Sequence, residues 1–96
     1  MSRGPVRILQ LAFDDENIEE MAAPGVTPRQ VMQVLNNRPR VARNRKGRRA
    51  MYLLVGVDDG GACIAIPMEP TRDATTWRPV TAWYCKPHEW NWLPRR

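Results

Sequence analysis

The first third of the chain changes from an alternating to a helical pattern of apolar positions. Residues 6–13 alternate with the period of two that is typical of a strand. Either Asp14 or Asp15 then offers a helix N-cap, and the acidic residues that follow suit the positive end of a helix. Pro24-Gly25 predicts the end of this first helix.

The clearest local signal is the start of a second helix. Thr27, Pro28 and Gln30 fit a capping box, with Thr27 as N-cap, Pro28 at the first helical position and Gln30 reaching back. The apolar residues that follow at helical spacing would pack on a sheet: Val31, Val34 and Leu35. Pro39 predicts the end of this helix.

The second half of the chain has a β pattern. Turn signals at Lys46-Gly47 and Asp58–Gly61 separate apolar segments rich in β-forming residues. Four strands are predicted there, at residues 40–44, 51–57, 62–68 and 77–85. In the last strand, one face would carry Val80, Ala82 and Tyr84, and the other Thr81, Trp83 and Cys85. A short terminal helix opens at residues 86–89.

The predicted order of elements is β-α-α-β-β-β-β-α. It indicates an α+β fold with a single twisted, mainly antiparallel sheet and helices packed on one face. The 96 residues provide one domain, residues 1–96, with a modest core. An apolar fraction of 43% and a charged fraction of 26% are ordinary for a globular protein.

Targeting and cysteine signals are weak. No apolar run approaches the length of a membrane span, and the N-terminal residues are too polar for a signal peptide. We therefore expect a cytoplasmic protein with no membrane partner. Cys63 and Cys85 are too few for a disulfide scaffold, and we expect two buried thiols rather than a disulfide or a ligand pair. The chain has no metal-ligand spacing and no Gly-rich phosphate loop, so we expect no metal and no cofactor.

The net charge of +5 comes from one segment, residues 38–49. Seven cations stand there without an acid: Arg38, Arg40, Arg43, Arg45, Lys46, Arg48 and Arg49. Outside this segment ten acids face eight basic residues. Such a density favours an acidic partner, RNA above all, and arginine in particular suits phosphate contacts. The alternative is a solvated edge strand and loop whose charges deter sheet-to-sheet aggregation.

A few further side chains could take part in chemistry. His88 is the single histidine and could act as an acid or base, although a surface histidine is the simpler interpretation. Glu69, Arg78 and Tyr84 could support acid–base work or phosphate stabilisation if they converge on the sheet. Trp83 could stack on bases if exposed, and core packing is its alternative.

The motifs along residues 13–89 resemble the BrnT-like toxins, ribonuclease toxins of type II toxin–antitoxin systems with a RelE-like fold. The matching residues are Phe13-Asp14, Asn17-Ile18, Gly25-Val26-Thr27-Pro28, Val34-Leu35, Pro39, Gly56, Glu69 and Arg78-Pro79-Val80-Thr81-Ala82. The resemblance implies metal-independent RNA cleavage on a basic sheet face, with an antitoxin protein as partner. It assigns catalytic roles to Glu69, Arg78 and either Arg48 or Arg49, of which we take Arg49. Within the basic segment, the charge density itself predicts RNA contacts at Arg40, Arg43, Arg45, Lys46 and Arg48.

The chain departs from the family pattern at two positions. Pro24 stands where the family has a histidine, and Trp83 stands where it has an arginine. Loss of a phosphate-facing arginine commonly reduces the rate of charge-stabilised chemistry by orders of magnitude. The alternative function is therefore a catalytically inactive relative that binds nucleic acid or protein, such as a phage or accessory factor.

Overall fold

The computed structural model describes residues 7–44, 50–91 and 93 of the chain. Within these ranges the protein is an α+β fold with three helices and one mixed sheet of six strands. The helices are α1 (Asp15–Ala22), α2 (Pro28–Asn36) and α3 (Pro87–Trp90). The strands are β1 (Gln10–Leu11), β2 (Arg40–Arg43), β3 (Tyr52–Val57), β4 (Cys63–Pro70), β5 (Thr76–Pro79) and β6 (Trp83–Tyr84).

Both long helices begin where their caps predict. Asp14, one of the two candidates, is the cap of α1, because its carboxylate accepts the Asn17 N–H at 2.8 Å while Asn17 Oδ1 accepts the Asp14 N–H at 2.9 Å. The predicted capping box of α2 is confirmed. The Gln30 N–H donates to Thr27 Oγ1 at 3.2 Å, and the Thr27 N–H donates to Gln30 Oε1 at 3.0 Å. Gly25 follows α1 with a φ of 91°, in the left-handed region that favours glycine.

The strand order of the sheet is β1-β5-β4-β3-β2, and β6 also pairs with β4. All of the pairs are antiparallel except β1 with β5, which run parallel. The first strand is much shorter than the predicted residues 6–13, because only Gln10 and Leu11 find partners, Thr76 and Trp77, on β5. Val6 lies outside the described residues.

The predicted last strand, residues 77–85, is interrupted. Met68 pairs with Pro79 and Ala65 pairs with Trp83, so residues 80–82 stand opposite only Ile66 and Pro67. One extra residue in one strand is a β-bulge, and it shifts the alternation of the strand by one position. The predicted facing of Trp83, Tyr84 and Cys85 is correct, whereas residues 77–79 lie on the faces opposite to those that an uninterrupted alternation would give them. The bulge therefore turns Arg78 to the face that carries Trp83.

The sheet has a core on each face. Against the first face, α1 and α2 pack with Met21 and Val34 onto Leu54, Ile64 and other buried residues of the sheet. The second face carries a smaller cluster of Leu53, Val55, Cys63 and Ala65, packed against Trp83, Cys85 and Leu93. The expectation that all helices share one face is thus wrong for α3, because Glu89 of α3 accepts a hydrogen bond from Trp83 at 3.1 Å on the second face.

Cys63 and Cys85 form a disulfide, so the expectation of two buried thiols is wrong. The reason is strand register. Cys85 continues the pairing of β6 with β4, its N–H donates to the Cys63 carbonyl at 2.9 Å, and the two Cα atoms lie 5.3 Å apart. That separation is within the range a disulfide requires. The bond links the C-terminal segment to β4.

Candidate functional site

The first candidate surface is the arginine edge, which consists of Arg38, Arg40 and Arg43 on and just before β2. Its position is set by the connection from α2. Arg38 has a φ of 53°, which reverses the chain after the helix. Pro39 then lies against Gly56 of β3, where an added Cβ would be 3.0 Å from the Cβ of Pro39. This close packing directs β2 onto β3 at the edge of the sheet.

The two arginines within β2 project to opposite faces. Arg43 stands opposite Tyr52, whose ring packs in the first core, and its guanidinium lies 5.9 Å from the ring centroid. Arg40 stands opposite Val55, a residue of the second core. A ligand confined to one face of the sheet could therefore contact one of these arginines, whereas a ligand that follows the edge could contact both.

The arginine edge is exposed and lacks acidic partners. Arg38, Arg40 and Arg43 are all exposed, and none forms an ion pair with a carboxylate in the described part of the chain. Asn44 follows β2; its N–H donates to the Met51 carbonyl at 3.0 Å, and its side chain donates to the Ala50 carbonyl at 3.0 Å. The predicted Arg45, Lys46, Arg48 and Arg49, and the predicted turn at Lys46-Gly47, lie outside the described residues.

The second candidate site is a cluster around Arg78 on β5. Arg78 Nη1 donates to Glu69 of β4 at 2.8 Å, and Nη2 donates to Glu16 of α1 at 2.9 Å. The cap residue Asp14 accepts two bonds, from Arg78 Nε at 2.7 Å and from Nη2 at 3.1 Å. The hydrogen bond to Asp14 foremost, and that to Glu69, raise the pKa of Arg78 further above its ordinary value. In return, the hydrogen bond from Arg78 is the main cause that lowers the pKa of Asp14.

Arg78, its three carboxylate partners and the neighbouring Asn17 form a structural clasp that holds the start of α1 against the sheet. The Arg78 side chain is only 16% exposed, and four of its N–H···O contacts go to carboxylates. Next to it, the fully buried Asn17 amide donates to the carbonyls of Ala12 at 3.0 Å and Pro79 at 2.9 Å. Together these contacts join the start of α1 to the ends of β1 and β5. The guanidinium of Arg78 is thus directed at three carboxylates, those of Asp14, Glu16 and Glu69.

The other predicted site residues are distributed over the sheet. Tyr84 Oη donates to the Gly25 carbonyl at 3.2 Å and accepts from Gln30 at 3.1 Å, on the side of α2. Trp83 donates to the buried Glu89, and Trp83 stands opposite Ala65, four residues along β4 from Glu69. Four residues of strand span about 13 Å. The structure thus brings together Glu69 and Arg78 but places Trp83 and Tyr84 away from them.

His88 lies on α3 and is largely exposed, with 67% of its side chain accessible. Its Nε2 is 3.9 Å from the carboxylate of Glu89, which also accepts the Lys86 N–H at 2.8 Å. The Lys86 ammonium lies 5.6 Å from the centroid of the Trp83 ring. These contacts fix the start of α3 on the second face. They also show that Trp83 is a half-buried packing residue.

Several residues of the clasp were missed by sequence reasoning. Glu16 carried only the signal of a helix start, Asp14 carried that signal and a place in the family motif, and Asn17 appeared only in the family motif. Their partner Arg78 is more than 60 positions away along the chain, at separations of 64 and 62 residues from Asp14 and Glu16. No local pattern encodes such a contact. The one available signal for this contact was that the motifs containing Asn17 and Arg78 both belong to the same family resemblance.

The described residues contain neither a metal-binding group nor a membrane-spanning helix. Among residues 7–44, 50–91 and 93, no group of three His, Cys, Asp or Glu side chains is arranged to hold a metal ion. In the same part of the chain, no helix has the length and apolarity needed to cross a membrane. Comparison of the chain with protein-family models, with curated proteins and with solved structures found no match.

Proposed function

We propose that this chain is an RNA-binding protein of BrnT-like architecture that contacts RNA along the arginine edge. The observation that carries the proposal is the absence of acidic partners for Arg38, Arg40 and Arg43 within the described residues. Exposed guanidinium groups suit phosphate oxygens, because they offer several N–H donors in a fixed planar arrangement. The sequence adds four further cations directly after β2, which increase the positive charge available to a phosphate backbone.

The Arg78 cluster supports binding without efficient cleavage. A catalytic arginine would have to direct its N–H groups at the charge that develops on the reacting phosphate. Arg78 instead directs them at Asp14, Glu16 and Glu69. To direct two N–H groups at a phosphate, it would have to give up at least one of these carboxylates, because four of its five N–H donors already contact them. The clasp thus favours the interpretation of the chain as a relative that keeps the fold and binds RNA.

The test compares two sets of variants with equal loss of charge. In the first, Arg38, Arg40 and Arg43 are replaced by Gln; in the control, three exposed arginines elsewhere are replaced, namely Arg7, Arg29 and Arg72. Binding of a fluorescein-labelled single-stranded RNA is followed by anisotropy over a range of salt. The edge variant should lose up to about 2.1 from the slope of log affinity against log salt, at about 0.7 per phosphate contact. Equal slopes in the two variants would refute the proposal.

A second candidate function is the toxin-like endoribonuclease, with an antitoxin as its protein partner. Glu69 and Arg78 support it, because they are paired neighbours on β4 and β5 with a contact of 2.8 Å. They also share the second face with Arg40. In such a pair, Glu69 could act as the general base and Arg78 could bind the phosphate.

Expression of the wild-type chain in bacteria, with growth and RNA integrity as readouts, tests the second candidate. Glu69→Gln keeps the shape of the side chain and removes its charge, so it is the appropriate comparison. Cleavage by the wild type that is lost in Glu69→Gln would support the endoribonuclease. Intact RNA in both strains, with RNA binding retained in vitro, would refute the endoribonuclease and support RNA binding as the function.

A further inference from the structure

The outer edge of β2 is an open strand edge. β2 is the last strand in the sheet order, and no strand of the described residues pairs with its outer side. The opposite end of the sheet is formed by β1, which contributes only two residues, whereas β2 contributes four. An unpaired strand of this kind is a template for a further strand, and proteins commonly protect it with charged side chains.

The pairing with β3 fixes which backbone groups of β2 point outward. The Asn44 N–H donates to Met51, the residue directly opposite it in the register of the ladder. Because hydrogen-bonded pairs alternate along an antiparallel ladder, Ala42 and Arg40 also direct their N–H and C=O groups toward β3. Val41 and Arg43 therefore direct theirs outward. An added strand forms its backbone hydrogen bonds with alternate residues of the edge strand, as Val41 and Arg43 allow.

The side chains of this edge specify the chemistry of an added strand. Val41, which is 37% exposed, presents an apolar side chain on the first face, next to the Arg43 guanidinium. Arg40 presents a cation on the second face. A directly opposite residue interacts with each of these side chains. The complementary strand carries an apolar residue opposite Val41 and acidic residues opposite both arginines. A second copy of this chain would instead bring two sets of arginines together.

We propose that the outer edge of β2 accepts an extended acidic segment of a partner protein by strand addition. The hydrogen bonds of Val41 and Arg43 supply the backbone contact, and the arginines select the acidic sequence. The inference stands on the strand edge and does not require RNA binding. Its regulatory consequence, that the segment excludes RNA from the arginine edge, rests on the proposed function.

The probe is a fluorescein-labelled synthetic peptide with the core Glu-Thr-Val-Glu, capped at both ends. In the antiparallel direction these residues stand opposite Arg43, Ala42, Val41 and Arg40. N-methylation of the first Glu and the Val removes the N–H groups that face β2, and we expect the affinity to fall by about tenfold or more. N-methylation of the Thr and the second Glu removes groups that face away, so the affinity should not change.

Protein variants give an independent measurement. Val41→Pro removes one outward N–H at a position where an edge strand tolerates proline. Val41→Thr keeps both the N–H and the β-branched side chain and is the matched control. We expect Val41→Pro to weaken peptide binding by about fivefold or more, whereas RNA binding and Val41→Thr remain as in the wild type. Amide exchange at Val41 and Arg43 should slow when the peptide binds, while exchange at Ala42 stays unchanged.

The outcomes separate this proposal from the RNA-binding one. Peptide binding that responds equally to both methylation patterns is charge attraction alone and overturns the strand addition, as does an absence of peptide binding. Self-association that Val41→Pro abolishes assigns the edge to a second copy and also overturns it. Methyl-sensitive peptide binding by a chain that does not bind RNA supports the strand addition and refutes only the RNA-binding proposal.

Discussion

Arg40 and Arg43 offer a test of the path that RNA takes, because they carry equal charge on opposite faces of one strand. Each is replaced singly by Gln, which removes the charge and keeps a polar side chain. Both substitutions lie at exposed positions, so neither should change the fold. The exposed Arg72, in the turn between β4 and β5, serves as a control for the loss of one charge.

The expected magnitude follows from the number of phosphates each arginine can neutralise. A contact with single-stranded RNA contributes about 0.7 to the slope of log affinity against log salt. If RNA follows the edge, each single variant lowers the slope by about 0.7, and the double variant lowers it by about 1.4. Between 50 and 200 mM salt, one such contact corresponds to roughly a 2.6-fold difference in the loss of affinity.

The assay is fluorescence anisotropy of a labelled single-stranded RNA at several salt concentrations between these limits. A response in Arg40→Gln alone would place the RNA on the second face, the face that also carries Glu69, as the endoribonuclease requires. Equal responses in both variants would place it along the edge, as the binding function requires. If neither variant differs from Arg72→Gln, the reasoning that connects the arginine edge to RNA is refuted.

Three further predictions concern the fold that holds these surfaces. Asn17→Ala removes three side-chain hydrogen bonds, one buried and two partly buried, and should lower the free energy of unfolding by about 3 kcal/mol in urea titrations. Joint replacement of Cys63 and Cys85 by Ala should cost about 3 kcal/mol through the entropy of the unfolded chain, and reduced wild type should melt like this variant. Hydrogen bonds lower the pKa of Asp58 below its usual 3.8, and the bond from Gln30 is the largest cause. The stability that these bonds confer is therefore fully present above about pH 3.8 and is lost as the pH falls through the lower pKa of the folded state. Thermal melts of Asp58→Asn should therefore show a weaker acid dependence than those of the wild type.

The helices were predictable because their signals are local. The capping boxes at Asp14 and Thr27 involve residues three positions apart, so the sequence alone contains both partners. The strands β3 and β4 also follow from sequence, because a strong turn signal at Asp58–Gly61 joins two apolar segments. The α+β class and the order of the helices and strands are therefore confirmed, apart from the division of the last strand.

The site was less predictable because it depends on register. The bulge at residues 80–82 determines the face on which Arg78 lies, and no residue type in that segment announces it. The disulfide depends on the same register, since Cys85 faces Cys63 only after the shift. The three carboxylates around Arg78 come from α1 and β4, which only the folded sheet brings together.

At Arg38, the left-handed backbone makes the residue that would be most stable, glycine, different from the residue that supplies a positive charge. The residue after a helix C-cap is most often glycine in this conformation, and any side chain with a Cβ costs about 1 kcal/mol there. Glycine would therefore make the chain more stable, and it would also remove the first cation of the arginine edge. A chain that carries arginine here gives up stability in exchange for charge. Position 38 is thus where thermostability engineering and affinity for an acidic ligand should conflict most directly.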